Sequence, residues 1–235
     1  MTADSRTYPT RLVLRRVAER RASRSFGVVL ALIGVSFVFG ATAPDGAWTM
    51  GVFVVLQGIT LIAAIWTSGL ARSRSRLVFG LAMMAIAIAL AVLSSAVVGA
   101  GLRGAVGLVS ALLIICVVVV IVRSIARSHE VSAETILGAI CVYISIGMIF
   151  LFAYGAVADI GSAPLFAQAA GDGTRALRLY FGYVTLATLG YGDYTPASSV
   201  GHMLAVVEAL LGQIYLVTVV AVLVARLRVR PRESQ

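Results

Sequence analysis

Lysine is missing altogether: all 19 basic residues of this 235-residue chain are arginine. Charge of either sign is scarce, at 12% of residues, and histidine and cysteine occur twice each. Each scarcity excludes something. A soluble core of this length needs polar faces on its helices, and so little charge cannot supply them. Cys116 and Cys141 both lie inside apolar runs with no ligand spacing around them. They read as small apolar side chains and not as a disulfide or a metal site. His129 and His202 fall at the ends of runs, facing opposite sides, and read as interfacial. What the chain does have is hydrophobic side chains, 60% of residues, with a mean hydropathy of +1.00. That is the composition of a polytopic membrane protein.

Six apolar runs are visible: Phe26–Ala43, Trp48–Trp66, Leu77–Ala100, Gly104–Val122, Ala133–Ala158 and Met203–Ala225. Each has roughly 18 to 26 residues, enough at ~1.5 Å per residue to cross a ~30 Å hydrocarbon core. The first run does not read as a signal peptide, because its basic flank is long and another run follows at once. Seven arginines precede it, three follow the second run, two follow the fourth and four close the sequence. These sixteen fall on one side of the membrane, against Arg103, Arg175 and Arg178 on the other. Positive charge accumulates in cytoplasmic loops, so both termini are expected inside a cell membrane. Topology thus accounts for most of the net charge of +9, and no nucleic-acid partner is needed.

Between the fifth and sixth runs the sequence changes character. "RALRLYFGYVTLA", Arg175 to Ala187, is too short to span but long enough for a half-membrane helix. It leads into "TLGYGDYTP", where glycines flank Tyr191. Non-helical backbone at membrane depth is tolerated only when buried in protein or lining a wet path. Thr188 to Gly192 must therefore line something wet. A dehydrated cation wants a cage of oxygens. Successive carbonyls can face one axis only if alternate residues adopt dihedrals that an L-side chain resists, which Gly190 and Gly192 permit. Thr188 can add a hydroxyl, Tyr191 can brace the strand, and the half-helix aims its negative end at the cavity.

Thr188-Leu189-Gly190-Tyr191-Gly192-Asp193 resembles the selectivity-filter signature of the potassium channels. "AETILGAICVYISIGMIF" and "EALLGQIYLVTVVAVLVARL" resemble the outer and inner helices of bacterial single-pore members of that family. The resemblance covers residues 133 to 225, with membrane helix, half-helix, filter and second membrane helix in the required order. It implies an all-α membrane protein, six transmembrane helices per chain with a re-entrant pore helix and filter between the fifth and sixth, assembled as a homotetramer. It implies K+ at Thr188, Leu189, Gly190 and Tyr191, with Gly192 completing the filter, and passive K+ conduction with no catalysed chemistry and no organic cofactor.

The sequence departs from the family pattern in places. Leu189 stands where valine is commonest, and Ala187 replaces a threonine. A tryptophan pair of the pore helix is matched by Tyr180 and Phe181, and Val184 stands where some members carry a glutamate. Tyr180 can still donate a hydrogen bond to Asp193, whereas Phe181 cannot donate to Tyr191. These changes bear on filter stability and inactivation. Leu189 and Ala187 keep a weakly selective monovalent cation channel open as an alternative. A transporter subunit would predict repeated halves with discontinuous helices, and a non-conducting membrane sensor would predict a damaged filter.

On the inner helix, Gly212 fits either a flexible hinge, as the family places one there, or close helix packing. Gln213, Leu216 and Val220 make one stripe, which the family's register turns toward the aqueous cavity. Glu208 lies about 140° from that stripe. Its expected partners are hydroxyls or backbone of the pore helix or outer helix, with Thr185 and Tyr183 nearest by sequence. Structural bracing and gating or proton sensing both remain open for it.

The domain expectations follow: residues 1–25 a basic cytoplasmic interfacial segment, 26–122 a four-helix membrane domain, 123–132 a cytoplasmic linker, 133–225 the pore domain and 226–235 a short cytoplasmic tail. "VGLVSALLIICVVVVIV" in the fourth run holds no arginine. With no charge in the field, conduction should vary weakly with voltage, since each charge crossing 100 mV supplies ~2.3 kcal/mol. Spans one to four show no recognisable site and read as scaffold and lipid contact. The six arginines between Pro9 and Phe26 suit either anionic lipid headgroups or simple topogenic charge. With ten residues after Ala225, no cytosolic nucleotide- or calcium-binding domain is expected.

Overall fold

Five of the six apolar runs lie among the described residues, and each of these five is helical. The computed structural model describes residues 26–68, 82, 85, 89, 100–127, 132–161, 164–168 and 172–228. Six helices lie among them: α1 (Phe26–Thr42), α2 (Ala47–Thr67), α3 (Ala100–Arg127), α4 (Ala133–Ile160), α5 (Arg175–Leu186) and α6 (Ser199–Arg228). Four of these, α2, α3, α4 and α6, contain stretches long and apolar enough to cross a membrane. Helix α1 is described for 17 residues, and the expected third span lies outside the described residues apart from three isolated positions. The basic segment 1–25 and residues 229–235 also lie outside them.

Several helix ends differ from the expected bounds, most of all in α3 and α6. Helix α3 continues through Arg127, so the first five residues of the expected linker are helical. Helix α6 begins at Ser199 and runs through Arg228, extending past the apolar run at both ends. At the start of α4 the Thr135 hydroxyl accepts from the Ser132 amide at 3.3 Å, and at the start of α5 the Thr174 hydroxyl accepts from the Leu177 amide at 3.2 Å. Both satisfy amides that a helix start leaves unpaired.

Helix α3 packs along α4 more extensively than any other described pair, and α2 packs on α3. Phe53, Leu61, Leu113, Val117, Ile121, Cys141, Met148 and Phe152 are among the buried side chains of this core. Edge-on ring contacts from Phe39 to Phe53 (5.3 Å) and Phe53 to Phe152 (5.6 Å) tie α1, α2 and α4 together. Offset and T-shaped ring pairs of this kind add to simple area burial. A second cluster, Phe150, Tyr154, Leu165, Phe166 and Phe181, joins α4 to α5 and the loop before it. That loop pairs with the chain after the glycine segment: Ala167 N donates to Thr195 O and Ala197 N to Leu165 O, each at 2.9 Å. No extended sheet forms among the described residues; the Phe166–Pro196 bridge stands alone.

Helix α6 is the exception in packing. Only 11% of its apolar stretch is buried within the chain, against 44 to 56% for the spans in α2, α3 and α4. Its contacts are with α5 and α4. A hydrophobic helix this bare must be covered by lipid, by other chains, or by both.

Candidate functional site

Helix α5 is amphipathic and ends where its last carbonyls are taken by the chain that follows. Ala187 N donates to Tyr183 O at 3.0 Å, Thr188 N to Thr185 O at 2.9 Å and Leu189 N to Val184 O at 2.9 Å. The Thr188–Gly192 segment is thereby fastened directly to the last turn of α5. Within it the left-handed conformation recurs at every second residue: Thr188 at φ 55°, Gly190 at 57° and Gly192 at 76°. Glycine takes this conformation without a steric cost. Thr188 does not, and a side chain there costs roughly 1–2 kcal/mol. It is the single non-glycine residue with positive φ among the described residues. The sequence pointed to the two glycines but gave no sign that threonine would join the alternation.

The mouth of the segment is braced by tyrosines. Tyr180 Oη donates to Asp193 Oδ2 at 2.8 Å, and Asp193 Oδ1 accepts from the Tyr194 amide at 3.1 Å. The Tyr180 bond to Asp193 is the first cause that pushes this phenol above its usual range. Its ring stacks on Tyr191, with centroids 6.5 Å apart and planes 16° from parallel. Phe181 turns the other way, buried edge-on against Tyr154 and Phe166, both at 5.2 Å. Leu189 and Tyr191 are exposed in the single chain.

Helix α6 meets the segment, the end of α5 and α4 at three levels. Gln213 Nε2 donates to Thr188 Oγ1 at 3.1 Å. Gly212 lies so close to α5 that a β-carbon there would collide with the carbonyl oxygen of Leu186. Glu208 is fully buried, and its Oε2 accepts from Tyr154 Oη on α4 at 2.7 Å. Its Oε1 has no partner and faces Gly182, 3.3 Å from where a β-carbon would stand. The sequence pointed to a partner on the pore helix or the outer helix, with Thr185 and Tyr183 nearest; the partner comes from α4, which resembles the outer helix, and neither Thr185 nor Tyr183 bonds the carboxylate. Tyr183 instead donates to Ile144 O at 2.6 Å, its ring filling the space left by Gly147. The reason is geometric: Tyr154 reaches Glu208 from a different helix, and a contact 54 residues apart leaves no local sequence signal. Leu216 and Val220 are exposed, as are Ile214 and Val217 beside them, so burial within one chain does not set the Gln213 stripe apart.

At the N-terminal end of α5 stands a group that sequence reasoning left unassigned. Arg175 is buried, Arg178 donates to the carbonyls of Asp172 and Gly173, and Asp45 lies beside them from the α1–α2 loop. Burial lowers the proton affinity of both guanidinium groups, and the Asp45 carboxylate opposes this. Arginine starts so high that both stay charged. Among the described residues no group of three histidine, cysteine or acidic side chains is placed to hold a metal ion.

Residues 139–229 match the family model described as "Ion channel". The match begins inside α4, takes in α5 and the glycine segment, and ends one residue beyond α6. It supports an ion-channel domain in this part of the chain, and with the four membrane-crossing helices it supports a membrane protein. No curated protein and no solved structure matches the chain.

Proposed function

We propose that the chain is one subunit of a homotetrameric, potassium-selective channel through which K+ moves passively, with Thr188 to Gly192 from four copies closing the filter. The observation that carries this reading is the left-handed backbone at Thr188, Gly190 and Gly192, alternating directly after a half-helix. Such alternation is what a column of carbonyls directed at one axis demands, and carbonyl rings replace the hydration shell of K+. The Thr188 hydroxyl adds the innermost oxygen, and Gln213 holds that hydroxyl from α6.

Two further observations support it. The ion-channel match spans the segment. Helix α6 is largely bare in the single chain, as a helix must be that lines a shared pore and packs on neighbouring copies. One chain supplies one strand of a filter, so a monomer would enclose nothing. Both termini lie on the cytoplasmic side in this reading, and the arginine-free Gly104–Val122 stretch makes voltage dependence weak.

The test is flux. Purified protein in liposomes with a K+ gradient should pass K+ in strong preference to Na+, as a complex of four chains. Equal passage of Na+ would replace the selective reading with a weakly selective cation channel. No flux of either ion from correctly inserted tetramers would overturn the channel reading.

A further inference from the structure

We propose that the loop between α1 and α2 and the first turn of α2 form a latch on the outer end of α5, in which Asp45 and Thr49 hold Arg175 and so position the filter segment. This deepens the channel reading and rests on it for its functional consequence, though not for its geometry.

Helix α5 begins with amides that need acceptors. Its own Thr174 serves one of them. The Arg175 amide is served from 130 residues away, by the Asp45 carboxylate, at 3.2 Å to Oδ1 and 3.3 Å to Oδ2. A carboxylate is favoured there by the positive end of the helix dipole as well as by the hydrogen bond. The Arg175 side chain then reaches back into the N-terminal helices. Its Nη2 donates to Thr49 Oγ1 at 2.7 Å and lies 3.7 Å from Asp45 Oδ1. Its guanidinium carbon sits 5.2 Å from the centre of the Phe53 ring, in cation–π range. Thr49 is fully buried and gives its own proton to Gly46 O, leaving its oxygen free to accept from Arg175.

This is a costly way to fill a helix interface. Burying a charge removes hydration that one partial ion pair does not restore, and Arg175 Nη1 has no partner at all. An apolar side chain would pack with less penalty. What the arrangement gives instead is direction: the carboxylate, hydroxyl and ring fix one orientation of the guanidinium and of the helix start.

The rest of α5 shows why orientation matters. Arg175, Leu179 and Tyr183 are spaced four residues apart and share one face. Leu179 lies over Gly40, 3.6 Å from where a β-carbon would stand. Tyr183 packs edge-on against Phe37 at 5.0 Å. The whole face is therefore seated on α1 and the loop after it. The last carbonyls of the same 12-residue helix hold the Thr188 and Leu189 amides. A rigid helix this short carries a shift at Arg175 to the filter segment with little loss. Asp45, Thr49 and Arg175 are positioning residues, and the first two helices, which carry no sequence signature of their own, take part in setting the filter.

The test uses the full-length protein in liposomes with Asp45→Ala, Arg175→Met and the double variant. Asp45→Asn and Arg175→Lys serve as conservative partners, because the first keeps an acceptor for the helix amide and the second keeps the charge. Two properties are read: K+ over Na+ preference, and hydrogen–deuterium exchange of the amides from Arg175 to Gly192. Each drastic variant should speed exchange across α5 and the filter segment by about tenfold and lower K+ preference by at least about threefold. The double variant should do less harm than the sum of the two single ones, since both remove the Asp45–Arg175 ion pair while each also removes contacts of its own. The conservative variants should recover part of both properties, which a general loss of folding would not allow. Wild-type exchange and preference in both drastic variants would overturn the latch, and so would full additivity. If a drastic variant fails to assemble, the conservative pair decides by the same two readouts. If the wild-type protein passes no K+, the channel reading fails, while the exchange data still judge the latch.

Discussion

Gln213 on the inner helix donates to the hydroxyl of Thr188, the one non-glycine residue held in the left-handed conformation among the described residues. The bond joins the strained start of the Thr188–Gly192 segment to α6. Strain of this size persists only where the surroundings hold it, and the amide of Gln213 is one of the groups that does so. Gln213→Leu removes the donor at similar volume. It should lower tetramer thermal stability by several degrees, consistent with a net hydrogen-bond contribution of ~1 kcal/mol per chain, and reduce K+ flux. Thr188→Gly relieves the backbone while deleting the hydroxyl, so it should lose ion preference without losing stability. Thermal melts read beside flux separate these outcomes, and a Gln213→Leu channel identical to wild type in both would remove the role assigned to this bond.

Gly190 is open on all sides within one chain, with no atom within 4 Å of where a β-carbon would stand, yet its φ is 57°. The cost of Gly190→Ala is therefore a backbone cost, roughly 1–2 kcal/mol in each chain. A segment repeated four times around an axis would pay it four times. Gly190→Ala should abolish K+ preference, and a variant that still favours K+ over Na+ unchanged would sink carbonyl coordination by this segment.

Gly212 was legible in the sequence as either a hinge or a packing glycine, and its contact with the Leu186 carbonyl favours packing. Gly212→Ala should push α6 away from the end of α5, reducing tetramer yield and thermal stability. If instead Gly212→Ala assembles with normal stability and changes only the fraction of time the channel conducts, the glycine acts as a hinge.

The contrast between Gly212 and Arg175 shows where sequence reasoning reaches and where it stops. The spans, the half-helix and the left-handed glycines are local patterns: length, periodicity and glycine placement within about twenty residues. The Tyr180–Asp193 bond was legible for the same reason, thirteen residues apart and tied to a motif. The Asp45–Arg175 contact joins residues 130 apart, and nothing about an aspartate in a short loop announces its partner. Thr188 was missed differently, because its conformation opposes its own propensity and is imposed by the segments around it.

Gln57 carries a prediction for the packing around α2. Its amide nitrogen and oxygen are buried without partners, beside a cavity of about 20 Å³ that Ser36, Thr60 and Ser145 also line. The Ser36 and Thr60 hydroxyls donate to the carbonyls of Leu32 and Leu56, leaving lone pairs free to accept. The space suits one water molecule with polar neighbours. A high-resolution experimental map should show that water bonded to Gln57. Gln57→Met, which removes both unpaired atoms at similar volume, should be neutral or stabilising. A dry cavity together with a strongly destabilised Gln57→Met would contradict both expectations.

Glu208 is the one acidic side chain of α6 and is fully buried, and the structure narrows what it can do. It lies at the junction of three elements: its own α6, Tyr154 on α4 at 2.7 Å, and Gly182 on α5 beside its unpaired Oε1. A side chain larger than hydrogen at residue 182 would close the gap, so the carboxyl fills a space shaped for it. If its role is to brace α5, the shape and the Tyr154 bond matter and the titrating group does not. Glu208→Gln should then assemble and conduct nearly as wild type. Glu208→Ala should leave a cavity and an unpaired tyrosine hydroxyl, costing ~2–4 kcal/mol per chain, and should lower tetramer stability and K+ preference together. Tyr154→Phe should show a weaker form of the same loss. If Glu208 senses protons, Glu208→Gln should erase a pH dependence of conduction while assembly stays intact. Flux and thermal tetramer stability of the three variants, measured across pH, separate the cases. Should Glu208→Ala leave both properties unchanged at every pH, neither bracing nor sensing survives.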